Sequence, residues 1–318
     1  MKNYVLTDIK NWDGRKSNKK LYLHEKIECL SMDDFKKNSA SKSIALLGYA
    51  SDSGVERNHG RIGAAKGPDA IRRQLGKFAN HLPEETSIFD LGNLTSPDGD
   101  VEAIQKELET AVDLIKKQHT FPIILGGGHD LAYGHYNGLL KHIPEDKTLA
   151  IINFDAHFDL RPNDNGSNSG TPFYQIAMDL QKKGKSFHYK ALGVTQNANT
   201  KDLFDFAEKH KLNYLRREYF SHTYLEHVQL RLIQFMEDVD YIYTTIDLDG
   251  FSSAYAPGVS AASPAGFSPD IVLECVKLIL ESDKLVGLDI VELNPKYDID
   301  DQTAKLAATI VHYILHKI

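Results

Sequence analysis

Apolar and polar positions follow two rhythms along this chain. Short, nearly continuous apolar runs at 43–50, 87–91, 121–125, 149–154, 187–194, 214–216, 241–246 and 285–290 have the length of strands. Such runs suit strands buried on both faces. Between them lie longer segments with helical spacing. The clearest is 101–119, where Val101, Ile104, Leu108, Ala111 and Ile115 share one stripe. Further helices are expected from Gly67-Pro68-Asp69 onward and over 131–142, 171–183, 201–210, 224–237, 268–280 and 303–316. Pro68 suits a first helical turn, and Ser268 is expected to cap its helix with Pro269 behind it. Residues 51–66 and 161–169 read as loops. Residues 1–40 are polar and weakly patterned, an N-terminal arm or irregular cap, which leaves 41–318 as a single domain.

Eight strands alternating with helices predict the α/β class, with one mostly parallel eight-stranded sheet and helices on both faces. In such sheets ligands bind outside the carboxyl ends of the strands. Chemistry is therefore to be sought there.

Composition narrows the partners. The chain has 318 residues, 42% hydrophobic and 25% charged, with a formal net charge of −7. Without a basic block, nucleic acid and anionic membrane are disfavoured. No apolar run approaches the roughly 18 residues of a membrane span, and residues 1–8 contain no apolar signal core. A cytoplasmic protein is expected. Cys29 and Cys275 lie far apart and form no redox or metal spacing.

Three of the apolar runs end in ligand-type side chains. Residues 149–154 are followed by Asp155, His157 and Asp159 at alternate positions, which an extended chain directs to one face with Ala156 and Phe158 turned away. The run 121–125 is followed by Gly126-Gly-Gly-His129. The run 241–246 ends in Asp247 and Asp249. Each piece alone has a plainer reading: an Asp-Ala-His is commonly a polar loop pair, and three glycines after a strand could cradle a phosphate. The glycines lack a following Lys-Ser/Thr, and the joint occurrence at three strand ends favours metal. Four carboxylates and two imidazoles suit Mn²⁺, Fe²⁺, Co²⁺ or Zn²⁺ more than Ca²⁺. Six ligands are too many for one catalytic ion and suit two, about 3.5–4 Å apart.

At these residues the sequence resembles the ureohydrolase family of arginases, agmatinases and formimidoylglutamases. The matching motifs are Gly126-Gly-Gly-His-Asp130, Asn153-Phe-Asp-Ala-His-Phe-Asp159, Thr245-Ile-Asp-Leu-Asp249 and Leu288-Asp-Ile-Val-Glu-Leu-Asn-Pro295, in family order over roughly 43–318. The resemblance implies an arginase-like three-layer α/β/α fold and two Mn²⁺ per subunit. One ion would sit on His129, Asp155, Asp159 and Asp247, the other on Asp155, His157, Asp247 and Asp249. It also implies a homo-oligomer, a trimer or hexamer. Glu292 matches the family glutamate that receives the amidine or guanidinium group. Its plainer reading is an ordinary loop carboxylate.

Within the family the chain is most similar to formimidoylglutamases. The segment 52–72, Ser169-Gly-Thr-Pro-Phe173, Ala256-Pro-Gly-Val-Ser-Ala261 and Trp12-Asp-Gly-Arg15 carry this likeness. One departure is that Gly250-Phe-Ser-Ser-Ala-Tyr255 lacks the Asp-Pro usual past the paired aspartates. A formimidoylglutamate substrate carries a cationic amidine and two carboxylates, so basic donors are needed opposite Glu292. Arg57, Asn58 and Arg61 are the candidates. Phe173 stands where arginases place a histidine, as a substrate contact or as packing. Arg161, directly after the metal segment, suits a structural role and a substrate contact equally.

The expected reaction is hydrolysis of N-formimidoyl-L-glutamate to L-glutamate and formamide, as in histidine degradation, by a hydroxide bridging the metals. Glu292 would hold the amidine and Asp159 would carry the proton to the leaving nitrogen. The alternatives are a guanidino substrate with urea release, a metal-binding homologue without activity, and a two-metal phosphoesterase, which the motif order disfavours.

Overall fold

The computed structural model describes residues 1–17, 19–36 and 42–318. The expected boundary between residues 40 and 41 lies outside the described residues. The strands are β1 (Tyr4–Val5), β2 (Glu28–Cys29), β3 (Lys42–Ala50), β4 (Thr86–Thr95), β5 (Phe121–Leu125), β6 (Leu149–Phe154), β7 (Tyr189–Val194), β8 (Asn213–Arg216), β9 (Tyr241–Asp247) and β10 (Leu285–Val291). The helices are α1 (Ser53–Arg57), α2 (Gly67–Leu75), α3 (Val101–Lys117), α4 (Leu131–Leu140), α5 (Pro172–Lys182), α6 (Lys201–Lys209), α7 (Leu225–Glu237), α8 (Pro269–Glu281) and α9 (Gln302–Leu315).

All eight expected strands form, in the order β4-β3-β5-β10-β9-β6-β7-β8, each pair parallel. The expectation of eight strands is nonetheless corrected: among the described residues the sheet has ten. The additional two come from the N-terminal arm. β1 runs antiparallel to the end of β4, with Tyr4 opposite Leu94, and β2 runs parallel to its middle, with Glu28 opposite Phe89. Two-residue strands are too short to carry a periodicity. The arm is also anchored through Trp12, buried, whose indole N–H donates to Asp90 at 2.5 Å. Asp90 in turn pairs with the buried guanidinium of Arg72, 2.8 Å from Nη2 and 2.9 Å from Nε.

Strand alternation divides the apolar side chains into two cores. On β6, Ala150, Ile152 and Phe154 face a core completed by α2, α7, α8 and α9, whereas Leu149 and Ile151 face one completed by α3, α4, α5 and α6. These two cores make the sheet the middle of three layers. Each fully buried Leu or Ile contributes about 1.5–3 kcal/mol by leaving water, so both faces of the central strands are held in place.

Two local expectations change. Residues 51–66, read as loop, contain the short helix α1. Ser268 stands before α8 with Pro269 in the first turn, but its hydroxyl turns to the Asp270 carboxylate and makes no cap bond to the backbone. The four adjacent strands β5, β10, β9 and β6 all point their carboxyl ends to one side. That side carries the chemistry.

Candidate metal centre

β5 delivers its ligand through Gly126-Gly-Gly128. The amide of Gly126 donates to Ile290 O at 2.8 Å and that of Gly128 to Ser51 O at 3.0 Å. These amides are therefore occupied, and the loop is no phosphate cradle. The requirement for glycine is steric: a Cβ on Gly127 would stand 2.0 Å from Ser51 O. The tight passage aims His129 over the end of β9. Its Nε2 meets the Thr245 hydroxyl at 2.9 Å. Its Nδ1 is buried without a hydrogen-bond partner and lies 2.9 Å from Asp159 Oδ2, 3.0 Å from Asp247 Oδ2 and 3.4 Å from Asp155 Oδ2.

β6 ends at Phe154, so Asp155, His157 and Asp159 do not sit on extended strand. The expected division still holds, for Ala156 and Phe158 are fully buried behind them. What brings the third ligand round is a left-handed turn, φ 49° at Asp159. Asn199 holds the segment by donating to Ala156 O and accepting from the Phe158 amide. Asp155 accepts from Asn153 Nδ2 at 3.1 Å and from the His157 amide at 2.7 Å. Asp247 closes β9 and accepts from the Asp249 amide at 2.8 Å. His157 Nδ1 lies 3.4 Å from Asp155 Oδ1 and 3.3 Å from Asp249 Oδ2.

Two groups of ligating atoms result: His129, Asp155, Asp159 and Asp247, and beside it Asp155, His157 and Asp249. Asp155 belongs to both. Asp247 lies in the first group only, whereas the family pattern places it in both. Their chemistry fits divalent cations: His129 Nδ1 is buried without a hydrogen-bond partner among three carboxylates, and Asp249 Oδ1 is likewise buried and unpartnered. The electrostatics agree. Burial opposes a charge on His129, yet Asp155, Asp159 and Asp247 raise its pKa well above the imidazole range. His157 is raised likewise, against burial, by Asp249 and Asp155. Burial and then Asp249 push the Asp247 carboxyl well up, and burial and Asp155 raise Asp159. Such a cluster binds positive charge wherever it can find it.

Glu292 leaves the end of β10 with φ 67°, a strained value for a non-glycine residue that costs about 1–3 kcal/mol and is characteristic of functional positions. Burial, then Asp249, pushes its carboxyl up to about 8. Its Oε1 accepts from the His129 amide at 2.8 Å.

A cleft of about 290 Å³ opens over these groups, and its walls include Asn58, His59, Arg61, Arg161, Asn199 and Ser260. The predicted substrate donors are placed differently from one another. Arg57 is turned away, paired with Glu102 at 2.7 Å and bonded to the carbonyls of Ser167 and Gly99. Asn58 lines the cleft and bonds Ser169 Oγ at 3.0 Å. Arg61 lines it too, but its guanidinium donates to Ser260 O and Val259 O and stacks 3.8 Å above Tyr297. Phe173 is fully buried behind the metal ligands, edge-on to His129 with centroids 5.2 Å apart. It packs, and it is absent from the cleft wall. Arg161, to which the sequence assigned no single role, is exposed in the cleft, its Nη1 touching Asn58 Oδ1 at 3.2 Å. Its position directly after the ligand segment was the signal.

The fold and this paired His–Asp cluster define the class. The arginase family model matches residues 42–316, and the chain belongs to that family. Within it, the chain is 42% identical over 274 residues to formimidoylglutamases of Streptococcus pyogenes strains, covering 86% of this chain and 84% of theirs. Among solved structures, formimidoylglutamase from Bacillus subtilis superposes with a TM-score of 0.80 at 24% identity, covering 96% of this chain and 94% of that one. A Trypanosoma cruzi formiminoglutamase variant with Mn²⁺ superposes at 0.76 and 23% identity, over 88% and 94%. Arginase from Bacillus subtilis gives 0.73 at 24%, over 87% and 99%. These structures share the fold. Among the described residues no helix is long and apolar enough to cross a membrane.

Proposed function

We propose that this arginase-family hydrolase cleaves N-formimidoyl-L-glutamate to L-glutamate and formamide. The observation that carries the proposal is the orphaned Nδ1 of His129, facing three carboxylates beside a second His–Asp set, under a metabolite-sized cleft. The 42% identity to formimidoylglutamases supports the choice of substrate. His129, Asp155, Asp159 and Asp247 would hold one Mn²⁺, and Asp155, His157 and Asp249, with Asp247, a second. Bound there, two divalent ions supply positive charge to the reacting centre and make water nucleophilic near neutral pH.

The chain's own residues supply the rest. Glu292, buried and fixed by the His129 amide, orients the cationic amidine. Asp159, partly open to the cleft, receives a proton and delivers it to the departing glutamate nitrogen. Among the described residues Arg161 is the cleft arginine whose guanidinium is bonded to neither a carboxylate nor a backbone carbonyl, so it grips a substrate carboxylate, with Asn58 holding the guanidinium in place. Asn58 and Arg61 shape the wall. The proposal includes assembly into a trimer or hexamer, which light scattering on the purified protein would test.

The functional test is to load the protein with Mn²⁺ and quantify formamide and glutamate released from N-formimidoyl-L-glutamate. Equimolar products that disappear in Asp155→Asn are expected. Protein holding two Mn²⁺ per chain and releasing neither product would refute the reading.

A further inference from the structure

Beneath the ligand segment a single phenol joins two of the aspartates. Tyr189 stands on β7 opposite Ile151 of β6, on the face of the sheet that Asn153 shares two residues further on. Asn153 and Tyr189 are essentially fully buried. The Asn153 side-chain amide donates to Asp155 Oδ2 at 3.1 Å and to the Tyr189 hydroxyl at 3.0 Å. The Tyr189 hydroxyl donates in turn to Phe158 O at 2.8 Å. Direct hydrogen bonds thus run from the Asp155 carboxylate to the peptide that leads into Asp159.

The same stretch is held from two other sides. The Phe158 amide donates to Asn199 Oδ1 at 2.9 Å, and Asp159 O accepts from the Phe173 amide, in the first turn of α5, at 3.2 Å. The left-handed turn at Asp159 is therefore fixed through three main-chain groups around it. The Phe173 ring touches both partners of the arrangement, its centroid 5.2 Å from that of His129 and 4.9 Å from that of Tyr189.

The bonds have one consistent direction. An asparagine amide nitrogen carries two hydrogens. One goes to the Asp155 carboxylate and the other to the phenol oxygen, which leaves the phenol's own proton for Phe158 O. Packing alone does not call for that hydroxyl, since a phenylalanine ring would fill the same place beside Phe173 and Phe187. Its reach is also selective. The Asp155 oxygen held by Asn153 is Oδ2, the one 3.4 Å from His129 Nδ1, whereas Oδ1 is held by the His157 amide. Asp155 and Asp159 both belong to the ligand group of His129, and Asp159 is absent from the group of His157 and Asp249.

We propose that Tyr189 is a positioning residue of the metal centre, setting Asp155 through Asn153 and Asp159 through the Phe158 carbonyl. Groups that orient ligands in this way typically govern metal affinity by about 10- to 100-fold. The inference rests on the metal-centre reading above but not on the choice of substrate. It carries an asymmetry: the ion on His129 depends on the Tyr189 hydroxyl, and the ion on His157 and Asp249 does not.

The test uses full-length protein, with Mn²⁺ affinity read by titration calorimetry and the spin-coupled Mn²⁺ pair by electron paramagnetic resonance. Tyr189→Phe keeps the ring and removes the hydroxyl. Asn153→Leu removes the link to Asp155 and leaves the bond from Tyr189 to Phe158. The control is Tyr136→Phe, which takes a buried hydroxyl from Leu149 O at the opposite end of β6. In Tyr189→Phe and Asn153→Leu one Mn²⁺ should bind about 10- to 100-fold more weakly than in wild type while the other is unchanged. The coupled signal should then give way to that of a single ion at limiting Mn²⁺. Tyr136→Phe should lower the melting temperature of the metal-free protein and leave both affinities and the coupled signal intact. Unchanged affinity at both sites in Tyr189→Phe, an equal loss at both, or the same loss in Tyr136→Phe would overturn the inference. A wild-type protein that binds no Mn²⁺ would overturn the metal centre with it.

Discussion

The main-chain N–H of His129 donates to Glu292 Oε1 at 2.8 Å, so the ligand following β5 and the carboxylate following β10 are fixed to each other. The two strands are neighbours in the sheet, and the Glu292 amide returns the bond by donating to Gly127 O at 2.9 Å. The carboxylate proposed to meet the substrate's cation is thus rigid relative to the His–Asp cluster. Its second oxygen is left for the cleft.

Glu292→Gln keeps a carbonyl oxygen for the His129 amide and removes the charge. We expect metal content and melting temperature to stay near wild type while kcat falls by at least about 10²-fold, the scale of a lost electrostatic contact to the reacting centre. Metal analysis beside steady-state kinetics checks this. A variant with wild-type kcat would exclude Glu292 from orienting the amidine.

Arg161 and Arg57 should separate cleanly. Arg161→Met removes a charged contact to substrate, on the order of 1.5–3 kcal/mol, and should raise KM roughly 10- to 100-fold with a smaller change in kcat. Arg57→Met breaks the ties to Glu102, Ser167 and Gly99. It should lower the melting temperature more than it changes KM. The reverse pattern would return substrate binding to Arg57.

The same Arg57 contact predicts an acid dependence. Burial tends to raise the Glu102 pKa, but the Arg57 hydrogen bond and the Ser167 amide outweigh it and hold the carboxyl at about 2, below its ordinary 4.5. A folded-state pKa below the unfolded one stabilises above the unfolded value, and this contribution is lost as pH falls from about 4.5 to about 2. In urea titrations, Glu102→Gln should be less stable than wild type at pH 6, and the difference should vanish toward pH 2. A difference that is constant across this range would contradict the assignment.

Removing metal should expose the repulsion among Asp155, Asp159, Asp247 and Asp249. Chelated protein should melt lower than protein with excess Mn²⁺, since free ion at 100 times Kd stabilises by about 2.7 kcal/mol per site. Readdition of Mn²⁺ should restore the transition. Identical melting curves for both forms would argue against a site built for cations.

The parallel sheet was legible because its strands are buried on both faces and so read as unbroken apolar runs. The His–Asp cluster was legible because its members follow the ends of those runs. What periodicity could not carry were contacts made by single residues. β1 and β2 are held by pairing to β4 and by Trp12 on Asp90, with no repeat to betray them. The arginines show the same limit. Arg57, Arg61 and Arg161 look alike as letters, and only the acceptors around each, Glu102, the 259–260 carbonyls or open cleft, give them different work. Asp159 comes beside His129 through a left-handed turn that an extended-strand argument does not contain.

The most direct measurement gives Mn²⁺-loaded protein N-formimidoyl-L-glutamate, L-arginine and agmatine in parallel and identifies the products. The account predicts formamide and L-glutamate in equal amounts from the first, and no urea from the other two. Urea from arginine or agmatine, with no formamide from the first, would contradict it and move the protein to the guanidine-cleaving side of its family.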